Sequence, residues 1–203
     1  MKILNLKTMR KIILSVILIT ILVLSIFSIH FLSESTTLGA HVVELKLDTG
    51  DTAWMIVATA LVLLMTPGLG FFYGGMVGKK NVISTVLQSF MAMDIVTVLW
   101  DVDGFGLCFG SSIGGFIGNP SYNLFFNGVS ANTAWELAPT IPMILFALFQ
   151  AKFAIITPAL ITGAFAERVR FWAYLLFMVL FILFIYAPLC HMTWHPDGLF
   201  FGW

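Results

Sequence analysis

Three apolar stretches of this chain run for 20 residues or more without a charged side chain: Ile12 to Leu32, Thr52 to Gly78, and Phe171 to Cys190. A helix of about 20 apolar residues crosses about 30 Å of hydrocarbon. Two further stretches have similar length but are interrupted. Val82 to Phe109 carries Asp94, Asp101 and Asp103, and Leu137 to Ala166 carries Lys152. None alternates apolar and polar residues with period two over barrel-strand lengths, so helices are the expected spanning form. Composition agrees: 60% of residues are hydrophobic and only 10% charged, against about 25% charged in soluble domains. A soluble enzyme, a disordered tail and a nucleic-acid binder are excluded. The ten basic and ten acidic residues cancel, so the chain lacks the basic excess that nucleic acid requires. Two cysteines, Cys108 and Cys190, do not make a disulfide framework.

The fold expected is an all-α polytopic membrane protein. Residues 1–45 form a basic leader, and residues 46–203 a helical domain with spans at about 53–78, 82–109, 137–166 and 171–190. Lys and Arg set the orientation. Lys2, Lys7, Arg10 and Lys11 precede the first apolar stretch, Lys79 and Lys80 follow the next, and Arg168 and Arg170 separate the last two. Placing all eight in the cytoplasm gives a consistent inside–outside alternation. The N-terminus is then inside if the leader is uncleaved, and the C-terminal end lies outside. The leader fits two readings, a cleaved signal peptide or an extra transmembrane helix: its n-region is basic, but its apolar core is longer than usual.

Several constellations bear on packing or chemistry. Gly70, Gly74 and Gly78 recur at i, i+4 and i+8, a stripe that lets another helix approach closely. Gly78-Lys79-Lys80 lacks the spacing of a phosphate-binding loop. Pro67 predicts a kink. His191 and His195 have zinc-protease spacing, but position 192 is Met where a catalytic Glu is required, so no metal site is assigned. Phe149 and Phe153 share one helical face; such a pair either packs or lines a pore. Asp94 and Lys152 lie deep in two spans, at roughly 18 Å and 21 Å from the inner ends at 1.5 Å per residue. An ionised group there costs about 2.5–3.5 kcal/mol, so the two are expected to form an intramembrane ion pair.

Four stretches carry a resemblance: Asp51 to Met55 (DTAWM), Pro67 to Gly75 (PGLGFFYGG), Ile155 to Arg168 (IITPALITGAFAER) and Pro188 to Trp194 (PLCHMTW). The chain from Asp51 onward resembles the N-terminal part of the ammonium transporter family (Amt/Mep/Rh). The third stretch is the most specific. The resemblance implies a homotrimer in the plasma membrane. Each subunit has its own pore between two inverted five-helix repeats, with ammonium as substrate, no cofactor, and a PII-type protein as a regulatory partner. It also implies that Phe149 and Trp194 belong to an outer aromatic cup that recruits ammonium, and that Phe153 is one ring of the gate. On this reading the chain is an N-terminal fragment. The second gate phenylalanine, the cup serine and the two pore histidines of the family would lie beyond residue 203.

The sequence departs from the family at Lys152, where a small or neutral residue is usual, and at Leu99 to Gly104, where Asp101 and Asp103 stand among apolar or aromatic positions. The expected activity of the intact protein is ammonium transport, not enzymatic catalysis. The 203 residues alone are expected not to conduct. The alternative is a non-conducting subunit or ammonium sensor that associates with a full-length paralogue.

Overall fold

The computed structural model describes residues 41–201. The apolar stretch on which both readings of the leader rest, Ile12 to Leu32, therefore falls outside the described residues, whereas residues 41–45 are described. Four long apolar helices dominate: α1 (Thr49–Met76), α2 (Val82–Phe109), α3 (Met143–Phe165) and α4 (Phe171–Trp194). Each is long and apolar enough to cross a bilayer. Their outward faces carry Trp54, Phe72, Ile83 and Phe184 in the open. In water a continuous apolar surface of this kind would be a liability; against lipid it is the ordinary exterior. The chain is an all-α membrane protein.

Local chemistry sets the helix ends. The Asp48 carboxylate accepts the Asp51 N–H at 2.8 Å and caps α1. The third helix begins at Met143 rather than at Leu137. Pro139 and Pro142 stand between, and residues preceding proline are driven out of the α region. The fourth helix stops at Trp194, with His195 extended and Pro196 following. Pro67 in α1 and Pro158 in α3 each remove one backbone donor within a helix.

At one end of the bundle the connections form a small cap. Strand β1 (Val42–Glu44) pairs antiparallel with β4 (Thr133–Trp135), with Val42 opposite Trp135. Between them β2 (Ser112–Ile113) and β3 (Ile117–Gly118) make a hairpin whose turn holds Gly114 and Gly115 at positive φ. This is the loop-bearing end. At the opposite end the α1–α2 and α3–α4 turns meet. There the Glu167 carboxylate accepts the Gly78 N–H at 2.7 Å and the Asn81 amide at 3.0 Å. Glu167 itself is held at φ 65°, the left-handed region that costs a non-glycine residue energy.

Helix α2 is central and packs against α1, α3 and α4. Its buried face (Ala92, Val96, Trp100, Phe105, Phe109) meets Phe146, Trp135, Tyr174 and Met178 within one core. Trp135 and Phe146 stack almost parallel, 5.8 Å apart. Buried polar groups tie the helices together. Trp100 Nε1–H donates to the Ala147 carbonyl at 3.1 Å. The Tyr174 and Thr162 hydroxyls share a 2.8 Å bond, and the Tyr174 hydroxyl also reaches the Gln88 carbonyl at 3.4 Å. One π turn interrupts α2 at Trp100–Gly104 and another interrupts α4 at Ile182–Tyr186. Such turns are uncommon and concentrate at functional sites.

The glycine stripe divides. A Cβ on Gly70 would lie 3.1 Å from Ser89 Cβ, and one on Gly74 would lie 2.9 Å from Val86 Cγ2, so these two let α2 approach α1. Gly78 lies beyond the end of α1, where its N–H serves Glu167.

Candidate functional site

The aromatic pair sits on α3, on the turns that follow the loop-bearing end. Phe149 and Phe153 meet edge to face, 5.0 Å between centroids, a favoured geometry for aromatic rings. Counting 1.5 Å per residue from Met143, they lie about 9 Å and 15 Å along the helix. Phe149 is half-buried and Phe153 is exposed. One turn further along the same face is Thr157. It borders a hollow of about 310 Å³ whose opposite wall is Trp194, with Cys190 and Tyr186. Thus Phe149, Phe153 and Thr157 form one strip, and Trp194 joins that strip through the hollow. Among the described residues no ring contact joins Trp194 to either phenylalanine.

The electrostatics beside this strip differ from the sequence expectation. Among the described residues the ion pairs closer than 4.0 Å all involve His41, so Asp94 and Lys152 are not paired. The acid whose charge reaches Lys152 is Asp101. The reason is helix length. Aligning α2 and α3 at their inner ends put Asp94 level with Lys152. Measured from the loop-bearing end, Asp101 lies about 12 Å from Phe109 and Lys152 about 13.5 Å from Met143, whereas Asp94 lies about 22 Å from Phe109. Helix α2 is 28 residues long and α3 is 23, so the two alignments disagree by more than a turn. Two residues from Asp101, Asp103 is buried with no hydrogen-bond partner for Oδ1.

His191 and His195 do not converge on a common point. Their rings stack face to face, 4.3 Å apart and 22° from parallel. His191 Nδ1–H donates to the Cys108 carbonyl at 2.9 Å, and its Nε2 pairs with the Ser112 hydroxyl at 2.9 Å. Both of its nitrogens are therefore occupied, and the i, i+4 spacing serves packing.

His195 instead faces His41, a residue that sequence reasoning passed over. Glu136 pairs with His41 Nδ1 at 2.5 Å and Asp197 with its Nε2 at 2.8 Å. Carboxylates only accept, so with both ring nitrogens donating, His41 is an imidazolium bridging two acids. Burial alone would lower its pKa; the hydrogen bonds to Glu136 and Asp197 outweigh that and raise it. The bond to His41 in turn holds the Asp197 carboxyl below its ordinary range. Burial, then the neighbouring His191 and His41 rings, pulls His195 down to about 4. The partners of His41 are 95 and 156 residues away in sequence, so no local motif announces them.

Comparison with known proteins fits this architecture. The curated ammonium transporter of Mycobacterium bovis is 47% identical over 164 residues, covering 74% of this chain and 34% of that protein. The crystal structure of Candida albicans Mep2 superposes with a TM-score of 0.69 at 30% identity, covering 76% of this chain and 33% of that one. A structure described as a sensor Amt protein matches with a TM-score of 0.63 at 30% identity, over 72% of this chain and 36% of that one. This chain therefore spans about a third of the length of these relatives. The profile of the Ammonium Transporter Family matches residues 53–203, and the chain belongs to that family.

Proposed function

We propose that these residues form one wall of an ammonium pathway through the plasma membrane, in a protein that assembles as a homotrimer. The observation that carries the reading is the strip of Phe149, Phe153 and Thr157, whose last member borders the hollow lined by Trp194. A small cation is held over aromatic faces by their quadrupole, worth about 0.5–1 kcal/mol when exposed and about 2 kcal/mol once desolvated. Phe149 and Trp194 recruit the ion, and Phe153, deeper along α3, gates its entry to the apolar pore. The excess of Lys and Arg at the Glu167 end supports a cytoplasmic position for it. The loop-bearing end, with Trp194, then faces outward. The cytoplasmic turns are the place for a PII-type regulator.

The test is methylammonium uptake in cells lacking their own ammonium transporters. They would carry a chimera in which residues 46–203 replace the matched third of the Mycobacterium bovis relative. Uptake is expected. Phe149→Ala with Trp194→Ala raises KM roughly 2- to 30-fold, the range that follows from the cation–π energies. A chimera that inserts at normal levels yet takes up nothing refutes the reading, as does an unchanged KM in the double variant.

The likeness to the sensor Amt protein supports a second reading, a non-conducting subunit that reports ammonium through a full-length paralogue. It predicts no uptake, together with co-purification with such a paralogue.

A further inference from the structure

We propose that His41, His195 and Asp197, oriented by Glu136, form a binding site for one divalent transition-metal ion of zinc-like ligand preference at the loop-bearing end. One ligand atom from each of the first three lies within 4.8 Å of the others. A tetrahedral zinc with bonds of about 2 Å holds its ligand atoms roughly 3–3.5 Å apart. Asp197 Oδ2 and His41 Nε2 already lie 2.8 Å apart, so closing the difference brings His195 and this pair together, with Asp197 exposed enough to adjust. Two imidazoles and a carboxylate are a donor set suited to zinc, copper or nickel, and poorly suited to magnesium or calcium.

Two independent observations point to a ligand. The first is the Glu136–His41 bond. Metal-bound histidines characteristically give their other ring N–H to a carboxylate, which fixes tautomer and orientation. Here Glu136 takes Nδ1–H, which turns Nε2 toward Asp197 and His195. The proton now bridging Nε2 and Asp197 Oδ2 at 2.8 Å occupies the place a metal would take between the same two atoms. The second is His195. It is fully buried, its ring stands perpendicular to His41 at 4.8 Å, and its Nε2 has no hydrogen-bond partner. Buried polar atoms are nearly always satisfied, so this nitrogen is an unused polar atom on a ring packed against His41. Its Nδ1 accepts the Asp197 N–H at 3.1 Å. With Nδ1 accepting, the neutral ring carries its proton on Nε2, so a metal binds Nε2 once that proton has shifted to Nδ1, which gives up the Asp197 contact.

The site joins three separate segments: the residue before β1, the loop after β4, and the turn after α4. Its ligands are distinct from the residues of the aromatic strip, and it does not depend on the transport reading. The experiment uses the full chain purified in detergent, stripped with a chelator and dialysed against micromolar zinc, with bound metal counted by atomic emission. One zinc per chain is expected, retained against millimolar magnesium. His41→Gln and Asp197→Asn are expected to abolish it, with helical content unchanged by circular dichroism. Glu136→Gln, which removes only the orienting partner, is expected to weaken binding about 10–100-fold. Cobalt substituted into the unmodified chain should give the intense visible absorption of a tetrahedral site, a readout independent of how the variants fold. No zinc above the detergent blank, or equal zinc in the His41 and Asp197 variants, overturns the proposal and leaves the cluster a proton-bridged contact alone.

Discussion

Tyr174→Phe removes one oxygen atom from near the α3–α4 turn. Both Tyr174 and Thr162 are fully buried, and their hydroxyls share a 2.8 Å bond. The tyrosine also reaches the Gln88 carbonyl of α2 at 3.4 Å. This one side chain therefore couples α4 to both α3 and α2, and it fixes the rotation of the helix that presents Phe149 and Phe153. A buried hydroxyl left without its partner costs about 1–3 kcal/mol. Thr162 softens the loss because its hydroxyl can fall back on the carbonyl four residues earlier, that of Pro158. Interhelical bonds in membrane bundles average about 0.6 kcal/mol and reach about 1.7 kcal/mol. Tyr174→Phe should thus destabilise the bundle by about 1–2 kcal/mol. Thr162→Val should cost about the same, since Tyr174 then keeps only the long Gln88 contact. The double variant should cost less than the sum, with a coupling of about 0.5–1.5 kcal/mol. Reversible unfolding of the full chain in mixed micelles titrated with SDS, followed by tryptophan fluorescence, measures all four corners of the cycle. A coupling within about 0.3 kcal/mol of zero, the scatter of independent sites, would show that the two hydroxyls do not act on each other.

Three further outcomes follow from the same geometry. Hydrogen bonds from Asn81 and from the Gly78 N–H hold the Glu167 carboxyl below its ordinary pKa. Its contribution is therefore present above the usual glutamate range and lost as pH falls through and below it. Amide exchange at residues 78–81 should accelerate across that window, and Glu167→Gln should make the acceleration vanish. Asp101→Asn leaves Lys152 without its nearby opposite charge, at a cost approaching about 2.5–3.5 kcal/mol. Insertion yield in membranes should drop and should recover in Asp101→Asn with Lys152→Met; a drop in Asp94→Asn with none in Asp101→Asn would restore the pairing first expected. A Cβ on Gly163 would lie 2.6 Å from the Tyr73 ring, which is anchored by its hydroxyl to the Leu160 carbonyl at 2.8 Å. Gly163→Ala should cost about 1–3 kcal/mol of overpacking in the same SDS titration, and a second change, Tyr73→Ala, should relieve it.

The spanning helices were legible because hydrocarbon imposes one requirement, an unbroken apolar length, and that is written locally. The first residue of α3 was less so: hydropathy runs smoothly through Leu137, and only Pro139 and Pro142 hold the helix off until Met143. Phe149 and Phe153 could be placed on a common face by spacing alone. Their relation to Trp194 depends on how α3 and α4 sit together, which no spacing within one helix encodes. Depth failed for Asp94 because counting from one end assumes helices of equal length. The His41 cluster was out of reach for a different reason. Its members come from loops, where no periodicity constrains direction, and only the closed cap brings them within bonding distance.

The π turns have a consequence for how this sequence tolerates change. Along α2 one line of buried residues steps by four from Ala92 to Val96 to Trp100, then by five to Phe105, then by four to Phe109. Along α4 they step by four from Tyr174 to Met178 to Ile182, then by five to Ala187, then by four to His191. Each helix thus carries one surplus residue that resets its phase partway along. Deleting a single residue from either turn would keep the helix continuous and apolar, and every composition-based measure would call it unchanged. It would nonetheless swing the whole segment beyond the turn by about 100° about the axis. In α2 that would carry Phe105 and Phe109 off the line of Ala92, Val96 and Trp100, and in α4 it would carry His191 away from the Cys108 carbonyl. Only an insertion elsewhere in the same turn would restore the phase, so length changes at these two places are tolerated in compensating pairs or not at all.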